Sequence, residues 1–552
     1  MPQRRLTALI CTGILLAGAA GCTGGGGGGS ESPSPSPSED PGQAAAEAAA
    51  ELMADMTVEE KVGQLFVLTA QGTTPEENAE LIAEHRPGGL IYFPENLTGA
   101  GQIAELSNGL QELAAAEGAG TPLFLGIDQE QGMVARLPVG AHLPDAMAVG
   151  ATRDPEMAAT LAGTTASTLT ALGINLDYAP VADVNTDPDN PVIGIRSFGS
   201  DPGPVGEMAV AEAAAFAEGG VVSVVKHFPG HGDTDTDSHT GLPVVDKTRE
   251  EWEQEDLPPF REAVEAGVDA IMTAHLVVPA LDDSGEPATL SGTVIDGILR
   301  DELGYDGLVT TDALNMEGVR QTHGDGEVAV RAVLAGADQL LMPPDAAGAV
   351  SAVREAVADG TISEDRLDDS VRRILALKVE RGLYDAEPAD PAAAEDAVDA
   401  EEHAAAAQQV ADASVTLLRN EGGVLPLADG ATVHVSGEGA EEIGAALEEL
   451  GHPLAGSAQG ADLAVVGTGG GQGAAAVNAV RGSGTPVVVV GQGAPYDLAE
   501  LGEVDGYLAT YSAVTVSRTA AARAIAGEIT PEGRLPVDIP GTGLGIGDGL
   551  GY

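Results

Sequence analysis

The chain has 552 residues, too many for one hydrophobic core, and this length predicts two or three domains. Its composition is ordinary for a globular protein, but 86 acidic against 25 basic residues give a formal net charge of -61. A surface this acidic repels nucleic acids and anionic membranes, so we expect neither as a partner.

The first 21 residues have the proportions of an export signal. Arg4 and Arg5 precede the apolar run LTALICTGILLAGAA, which is too short to span a bilayer. The run ends in AAGC at Cys22, which resembles the bacterial lipoprotein signal, where the cysteine is lipidated and begins the mature chain. This resemblance implies a protein exported by the general or twin-arginine route and anchored through Cys22 to the outer face of the cell membrane.

Residues 22–43 are rich in Gly, Pro and Ser and predict a tether. Residues 44–385 then alternate short apolar segments with helix-like ones such as AELSNGLQELAAA and VIDGILRDEL. Eight such units in about 320 residues predict a (β/α)8 barrel of the TIM type. An open doubly wound sheet is the alternative, but no glycine fingerprint follows the first predicted strand. The predicted strands are Val62–Leu68, Gly89–Phe93, Leu123–Asp128, Leu176–Pro180, Val222–Lys226, Ala270–Ala274, Leu308–Asp312 and Gln339–Met342.

An acidic linker, residues 386–402, leads to a smaller α/β layered domain, residues 403–552. Segments such as ATVHVSG, ADLAVVGTG and TPVVVVGQG predict its strands. The run GTGGGQG follows one of them, but its spacing fits neither a dinucleotide-binding nor a phosphate-binding loop. We expect this domain to be a scaffold or to form the rim of the substrate site.

Polar residues collect where the predicted barrel strands end. Active sites of barrels lie at the carboxyl ends of the strands, so these side chains predict a site there. The richest stretch, VVSVVKHFPGHGDTDTDSHTGLP, is an apolar strand that runs into a loop of histidines and aspartates, which are costly to bury without a function. The residues at or soon after strand ends are Asp128, Asp183, Lys226, His227, His275 and Asp312.

The spacing of these residues argues against a metal site. His227 and His231 are separated by Phe-Pro-Gly, so they do not share a helix face as a zinc pair does. The aspartates from Asp233 onward resemble the start of a calcium loop, but Ser238 and Val244 stand where that loop needs glycine and glutamate. We therefore expect neither a metal nor another cofactor.

Carboxylate chemistry suits the site better. Asp312, in the segment VTTDALNM, is placed to stay ionised and to act as a nucleophile. Glycoside hydrolysis also needs a proton donor on the other side of the scissile bond. His239 can supply the proton, with Asp237 fixing the tautomer of its ring. His231 either braces this loop or contacts the substrate.

Four motifs, GIDQEQGMVARL, IGIRSFG, KHFPGHGDTDTDSH and TTDALNM, together resemble glycoside hydrolase family 3, in particular its β-N-acetylglucosaminidase branch. The resemblance implies hydrolysis with retention through a covalent glycosyl-enzyme, with Asp312 as nucleophile and His239 as acid/base paired with Asp237. Ala313 follows the nucleophile, where β-glucosidases of the family tend to have tryptophan, and this favours a 2-acetamido sugar over glucose. By the same resemblance, the residues of the sugar pocket are Asp128, Arg136, Arg196, Lys226 and His227.

The implied activity is that of a retaining exo-β-N-acetylglucosaminidase, a β-N-acetylhexosaminidase acting on peptidoglycan fragments or chitin oligosaccharides; we expect a monomer. Phosphorolysis is an alternative, because an imidazole repels an anionic acceptor less than a second carboxylate does. A noncatalytic glycan-binding lipoprotein is another alternative. Such a protein should have lost Asp312, Asp237 or His239, and all three are present.

Overall fold

A computed structural model of the chain describes residues 41–469 and 473–552. The predicted export signal and the predicted lipid anchor at Cys22 lie outside these residues. Within the two described ranges, no helix is both long and apolar enough to cross a membrane.

Eight parallel strands form the first sheet, in the order β7-β6-β5-β4-β3-β2-β1-β8. Val67 in β1 lies opposite Gly89 in β2 and Leu341 in β8. The remaining gap, between β7 and β8, is bridged by Thr310 and Gln339, so the sheet is a nearly closed barrel. The predicted (β/α)8 architecture is thereby confirmed, and the open sheet is wrong. The strands are β1 Phe66–Thr69, β2 Gly89–Ile91, β3 Phe124–Ile127, β4 Leu176–Asp177, β5 Val222–Phe228, β6 Ala270–Thr273, β7 Leu308–Thr311 and β8 Leu340–Leu341.

Helices cover the outside of the barrel and bury the outer faces of its strands. All seven residues of β5 are buried, as expected for a strand with side chains packed on both faces. The helices of this part are Pro41–Met53, Val58–Gln64, Ala79–His85, Ala100–Ala116, Ala146–Thr152, Pro155–Ala171, Pro202–Glu218, Arg249–Glu255, Leu257–Ala266, Thr293–Glu302, Glu317–Arg320, Asp325–Ala335, Ala346–Ala358 and Glu364–Glu380, with short 3-10 turns at Pro75–Asn78, Pro94–Asn96, Gly194–Arg196 and Ala288–Leu290.

The first predicted strand began too early, because residues 62–64 end the helix Val58–Gln64. A capping box starts that helix: the Glu60 N–H donates to Thr57 Oγ1 at 3.3 Å, and the Thr57 N–H donates to Glu60 Oε2 at 2.8 Å. The two reciprocal bonds satisfy amides that the first turn leaves free, so they favour helix over strand here.

The second sheet has five strands in the order β10-β11-β12-β13-β9. Its strands are parallel except β9, which pairs antiparallel with β13. Helices lie on its faces, so this part is a layered α/β domain, as predicted. The strands are β9 Thr416–Asn420, β10 Val433–Gly437, β11 Leu463–Thr468, β12 Val487–Gly491 and β13 Gly506–Ala509; the helices are Glu401–Ser414, Ala440–Glu449, Gly473–Arg481 and Thr515–Ala526, with 3-10 turns at Glu421–Gly423 and Pro495–Ala499. The short helix Ala394–Val398, within the predicted linker, packs into the apolar core of the barrel.

The second domain packs against the barrel segments that follow β3 and β4. Met147 and Ala148, in the helix after β3, share an apolar cluster with Val466 and Tyr507 of the second sheet. After β4, the Ser200 N–H donates to the carbonyl oxygen of Pro536 at 3.0 Å. The loops of two neighbouring strand ends therefore lie between the barrel and the second domain.

Candidate active site

A network of four charged side chains lies at the carboxyl ends of the strands. Lys226, near the end of β5, donates from Nζ to Asp128 Oδ1 at 2.9 Å and lies 2.7 Å from Glu130 Oε1. Arg196 donates to the same glutamate through two bonds, from Nε to Oε2 at 2.8 Å and from Nη2 to Oε1 at 2.7 Å. The structure thus brings three of the predicted pocket residues together, and Glu130 links two of them.

Glu130 is the residue that the sequence analysis missed. It stands two positions after Asp128 in GIDQEQG, so an extended segment places both carboxylates on one side of the chain, and this signal was available. Burial would raise the pKa of Glu130, but the charges of Arg196 and Lys226 hold it far below its ordinary value. Burial likewise opposes the charge of Lys226, yet the two carboxylates raise its pKa. Glu130 and Lys226 are therefore ionised at neutral pH.

His227 is oriented by a buried aspartate. Its Nδ1 lies 2.7 Å from Asp183 Oδ2, and Asp183 Oδ1 accepts the backbone N–H groups of His227 at 3.2 Å and His231 at 2.7 Å. Burial would raise the pKa of Asp183, but the neighbouring imidazole of His227 lowers it, so the carboxylate is ionised. The bond at Nδ1 fixes the ring and directs Nε2 to the opposite side.

Asp312 directly follows β7, as predicted, and its side chain is half-buried. Its Oδ1 accepts the N–H of Ala313 at 2.7 Å. Burial would raise the pKa of Asp312, but the rings of His275 and His227, the Ala313 N–H and the charge of Lys226 bring it below its ordinary value. An ionised carboxylate at this position can act as a nucleophile.

His275 supports the segment that contains Asp312. Its Nε2 lies 3.0 Å from the carbonyl oxygen of Ala313, and because a carbonyl only accepts, this nitrogen carries the proton. Its Nδ1 lies 2.9 Å from Thr289 Oγ1. Burial lowers the pKa of His275, so the ring is neutral and acts as a fixed donor to the backbone beside the nucleophile.

The predicted acid/base pair forms in the loop after β5. His239 Nδ1 lies 2.7 Å from Asp237 Oδ1, which also accepts the His239 backbone N–H at 2.9 Å. Burial would raise the pKa of Asp237, but its hydrogen bonds with His239 lower it. The ring of His239 is 60% exposed, so its Nε2 is accessible to a ligand.

Ser238 anchors this loop beside the nucleophile. Its Oγ lies 2.9 Å from His231 Nε2, and its carbonyl oxygen accepts the Gly318 N–H at 3.0 Å. A Cβ at position 318 would lie 2.9 Å from the carbonyl oxygens of Ser238 and Gly241, so a side chain there would push the loop away. Burial lowers the pKa of His231 to about 4, which keeps its ring neutral. The ring of His231 thus braces the loop, which is one of the two roles predicted for it.

Arg136 lies on a turn after β3. Its backbone N–H donates to Gln129 Oε1 at 2.8 Å. Its Nε is buried and has no hydrogen-bond partner in the part of the chain that the structure describes. An unpaired buried donor is costly, so this atom is suited to binding a ligand oxygen.

Comparisons with known proteins identify the family of the chain. Residues 57–377 match the sequence profile of the Glycosyl hydrolase family 3 N terminal domain. The chain is 38% identical over 389 residues to Beta-hexosaminidase A of Pseudoalteromonas piscicida, a match that covers 66% of this chain and 64% of that protein, less than two thirds of its length. It is 32% identical over 333 residues to Beta-hexosaminidase LpqI of Mycobacterium tuberculosis, which covers 58% of this chain and 83% of that protein.

A solved structure shows the same architecture over both domains. It is that of a glycoside hydrolase family 3 beta-N-acetylglucosaminidase from Paenibacillus sp. str. FPU-7, with a TM-score of 0.82 and 37% sequence identity. The superposition covers 87% of this chain and 98% of that one. The family predicted from the four motifs is confirmed, and the chain belongs to glycosyl hydrolase family 3, a family of glycosidases.

Proposed function

We propose that this protein is a retaining exo-β-N-acetylglucosaminidase that releases terminal N-acetylglucosamine from peptidoglycan fragments or chitin oligosaccharides. The observation that carries the proposal is the bonded Asp237–His239 pair on a loop that is anchored to the segment after Asp312. A nucleophilic carboxylate and a separate proton donor are the two groups that retaining glycoside hydrolysis needs. The beta-N-acetylglucosaminidase of similar structure supports the choice of sugar.

In the first step, the Asp312 carboxylate attacks the anomeric carbon and forms a glycosyl ester. The bond from that carbon to the glycosidic oxygen breaks, and protonated His239 gives its Nε2 proton to the departing oxygen. Asp237 holds Nδ1–H throughout and stabilises the cationic ring before the transfer. In the second step, neutral His239 takes a proton from water, whose oxygen attacks the anomeric carbon and frees Asp312. Each step inverts the configuration at the anomeric carbon, so the two steps together retain it.

The charged network is suited to holding the terminal sugar. Asp128 can accept two sugar hydroxyls, while Lys226, Arg136 and His227 can donate to hydroxyl oxygens. In this proposal Arg196 is held against Glu130, so Glu130 positions the cations and does not itself take part in the reaction. The positive and negative charges of the pocket balance one another, which suits a neutral sugar.

The decisive experiment compares initial rates on matched aryl β-N-acetylglucosaminide and aryl β-glucoside, for wild type and Asp312→Ala. Strong preference for the acetamido sugar, lost in the variant, supports both the substrate and the nucleophile. An α-anomeric first product, followed by NMR, would contradict retention. No turnover of either substrate would favour the noncatalytic glycan-binding alternative.

Phosphorolysis is a second candidate, favoured by the use of a solvent-exposed imidazole as acid/base. An imidazole repels phosphate less than a carboxylate does, and the ring of His239 is 60% exposed. Added phosphate should then yield a sugar 1-phosphate. A free-sugar product and the same rate at every phosphate concentration would leave hydrolysis as the reaction.

We also propose that the protein is exported and anchored by lipid at Cys22, because of the sequence of its first 22 residues. Expression in a bacterium that processes lipoproteins, followed by detergent partitioning, tests this. The wild type should partition with detergent and Cys22→Ala should not. Equal partitioning of both would refute the anchor.

A further inference from the structure

A buried side chain in the segment after β3, Asp145, is hydrogen-bonded to the second domain. Asp145 is 2% exposed, and its Oδ2 accepts the hydroxyl of Ser512 at 2.5 Å. The Asp145 backbone N–H donates back to the same hydroxyl at 3.3 Å. Ser512 follows β13 and is fully buried. The serine therefore holds both the side chain and the backbone of Asp145.

The other oxygen of Asp145 holds the turn of residues 131–137. Asp145 Oδ1 accepts the Met133 N–H at 2.7 Å. Gly132, with φ of 56°, lies against the same carboxylate, and a Cβ there would be 2.0 Å from its carbon. Burial raises the pKa of Asp145 to about 6, so the carboxylate is largely ionised at neutral pH and accepts both bonds. The turn thus depends on Asp145 for its shape.

This turn contains Arg136. On its other side, Gln129 Oε1 accepts the backbone N–H groups of Arg136 at 2.8 Å and Leu137 at 3.1 Å. No described residue is bonded to the buried Arg136 Nε. The backbone of the turn therefore has to set the direction of this side chain.

The second domain braces the neighbouring loop in a comparable way. Asn185, after β4, donates from Nδ2 to the hydroxyl of Tyr496 at 3.3 Å. Its Oδ1 accepts the Gly194 N–H at 3.0 Å, two residues before Arg196. Each loop with a predicted sugar-pocket arginine is thus tied to the second domain by a polar side chain.

We propose that Ser512 is a positioning residue for the sugar pocket, acting through Asp145 and the turn 131–137 to place Arg136. The inference rests on the proposed function, in which Arg136 binds a hydroxyl of the terminal sugar. The second domain then contributes to substrate binding indirectly, by positioning a barrel residue, and not only as the predicted scaffold or rim of the substrate site.

The test is steady-state kinetics of the full chain on an aryl β-N-acetylglucosaminide, with Ser512→Ala and a matched control. Ser517 is the control: it is buried in the same domain, and its hydroxyl has no partner among the residues described. Ser512→Ala should raise KM about tenfold and leave kcat within about twofold, because a contact made equally in ground and transition states acts on KM. Ser517→Ala should change neither constant by more than about twofold.

A double-mutant cycle shows whether the serine acts through Arg136. In an Arg136→Ala background, Ser512→Ala should change KM by less than about twofold, since the affected contact is already gone. An undiminished effect in that background, or equal effects of the Ser512 and Ser517 variants, would overturn the proposal. If the alanine variant does not fold, Ser512→Cys keeps the packing and weakens the bond, and an intermediate rise in KM is expected.

Hydrogen exchange separates this proposal from the proposed function. The Met133 amide should exchange about tenfold faster in Ser512→Ala than in Ser517→Ala, whether or not the protein turns over a substrate. Unchanged exchange at Met133 would refute positioning by Ser512. Absence of wild-type activity on acetamido glycosides would instead refute the proposed function, with the exchange result still deciding the role of Ser512.

Discussion

Replacing Glu130 by Gln removes a carboxylate that contacts two buried cations. The side chain of Glu130 is 6% exposed, that of Lys226 is 2% exposed and that of Arg196 is 12% exposed. Three short contacts connect them, so the substitution leaves cations in low dielectric without their counter-charge. Removing one partner from a buried pair costs about 3–5 kcal/mol, since the remaining charge is uncompensated.

A loss of this size should lower the thermal midpoint of Glu130→Gln by about 3–7 °C at pH 7 and raise KM by at least about tenfold. Asp368→Asn is the control, because Asp368 accepts a bond of 2.6 Å from Lys61 but is 37% exposed. A surface pair of that kind contributes less than about 1 kcal/mol. Equal thermal midpoints for the two variants would refute the reasoning from burial.

The difference in thermal midpoint between wild type and Glu130→Gln should depend on pH, because the pKa of Glu130 is lowered in the folded state. A carboxylate whose pKa is lower in the folded state stabilises the fold fully above its unfolded pKa, about 4.3, and less as the pH falls below it. The gap in thermal midpoint between wild type and Glu130→Gln should therefore be constant from pH 6 to 8 and should narrow below about pH 4. A difference in thermal midpoint that grows as the pH falls would contradict a lowered pKa of Glu130 in the folded state.

Three further predictions concern the proposed nucleophile, the proposed acid/base pair and the histidine that braces its loop. Asp312→Ala should lower kcat by at least about 1,000-fold and leave the affinity for N-acetylglucosamine, measured by titration calorimetry, within about threefold. His239→Ala should lower the rate on substrates with poor leaving groups about 100-fold more than the rate on activated aryl glycosides, since only the former need the proton. Asp237→Asn should have the same effect more mildly. Equal losses of rate on both kinds of substrate would argue against His239 as the acid. His231→Leu should lower kcat about tenfold with KM unchanged, because Ser238 loses a hydrogen bond that positions the loop; a change in KM alone would contradict this.

Much of the barrel could be predicted because most of its strands are short apolar runs, and several of them lead into polar residues. In β5, the change from Val225 to Lys226 marked the point where the strand reaches the site. The error at residues 62–64 arose because a capping box, Thr57 with Glu60, outweighed the β-propensity of Val62. Local hydrogen bonds of this kind decide helix or strand when the apolar segment is short.

The candidate site was predictable where its contacts are local. Asp237 and His239 are two residues apart, so one turn suffices to join them. Glu130 itself could have been predicted from its place two residues after Asp128, but its contact with Arg196 could not, because 66 residues separate the two. The bond between Asp145 and Ser512 spans 367 positions and two domains, so only the folded chain reveals it.

The two domains have different roles in the proposed mechanism. The nucleophile and the acid/base both come from the barrel, where the loop of His239 is hydrogen-bonded to Gly318, just beyond Asp312. The second domain has no need to supply a catalytic group, and its polar contacts instead reach the loops of Arg136 and Arg196. Substitutions in the His239 loop should therefore act mainly on kcat, because they displace a proton donor used in the transition state. Substitutions where the domains meet should act mainly on KM, because they displace groups that hold the sugar throughout the reaction.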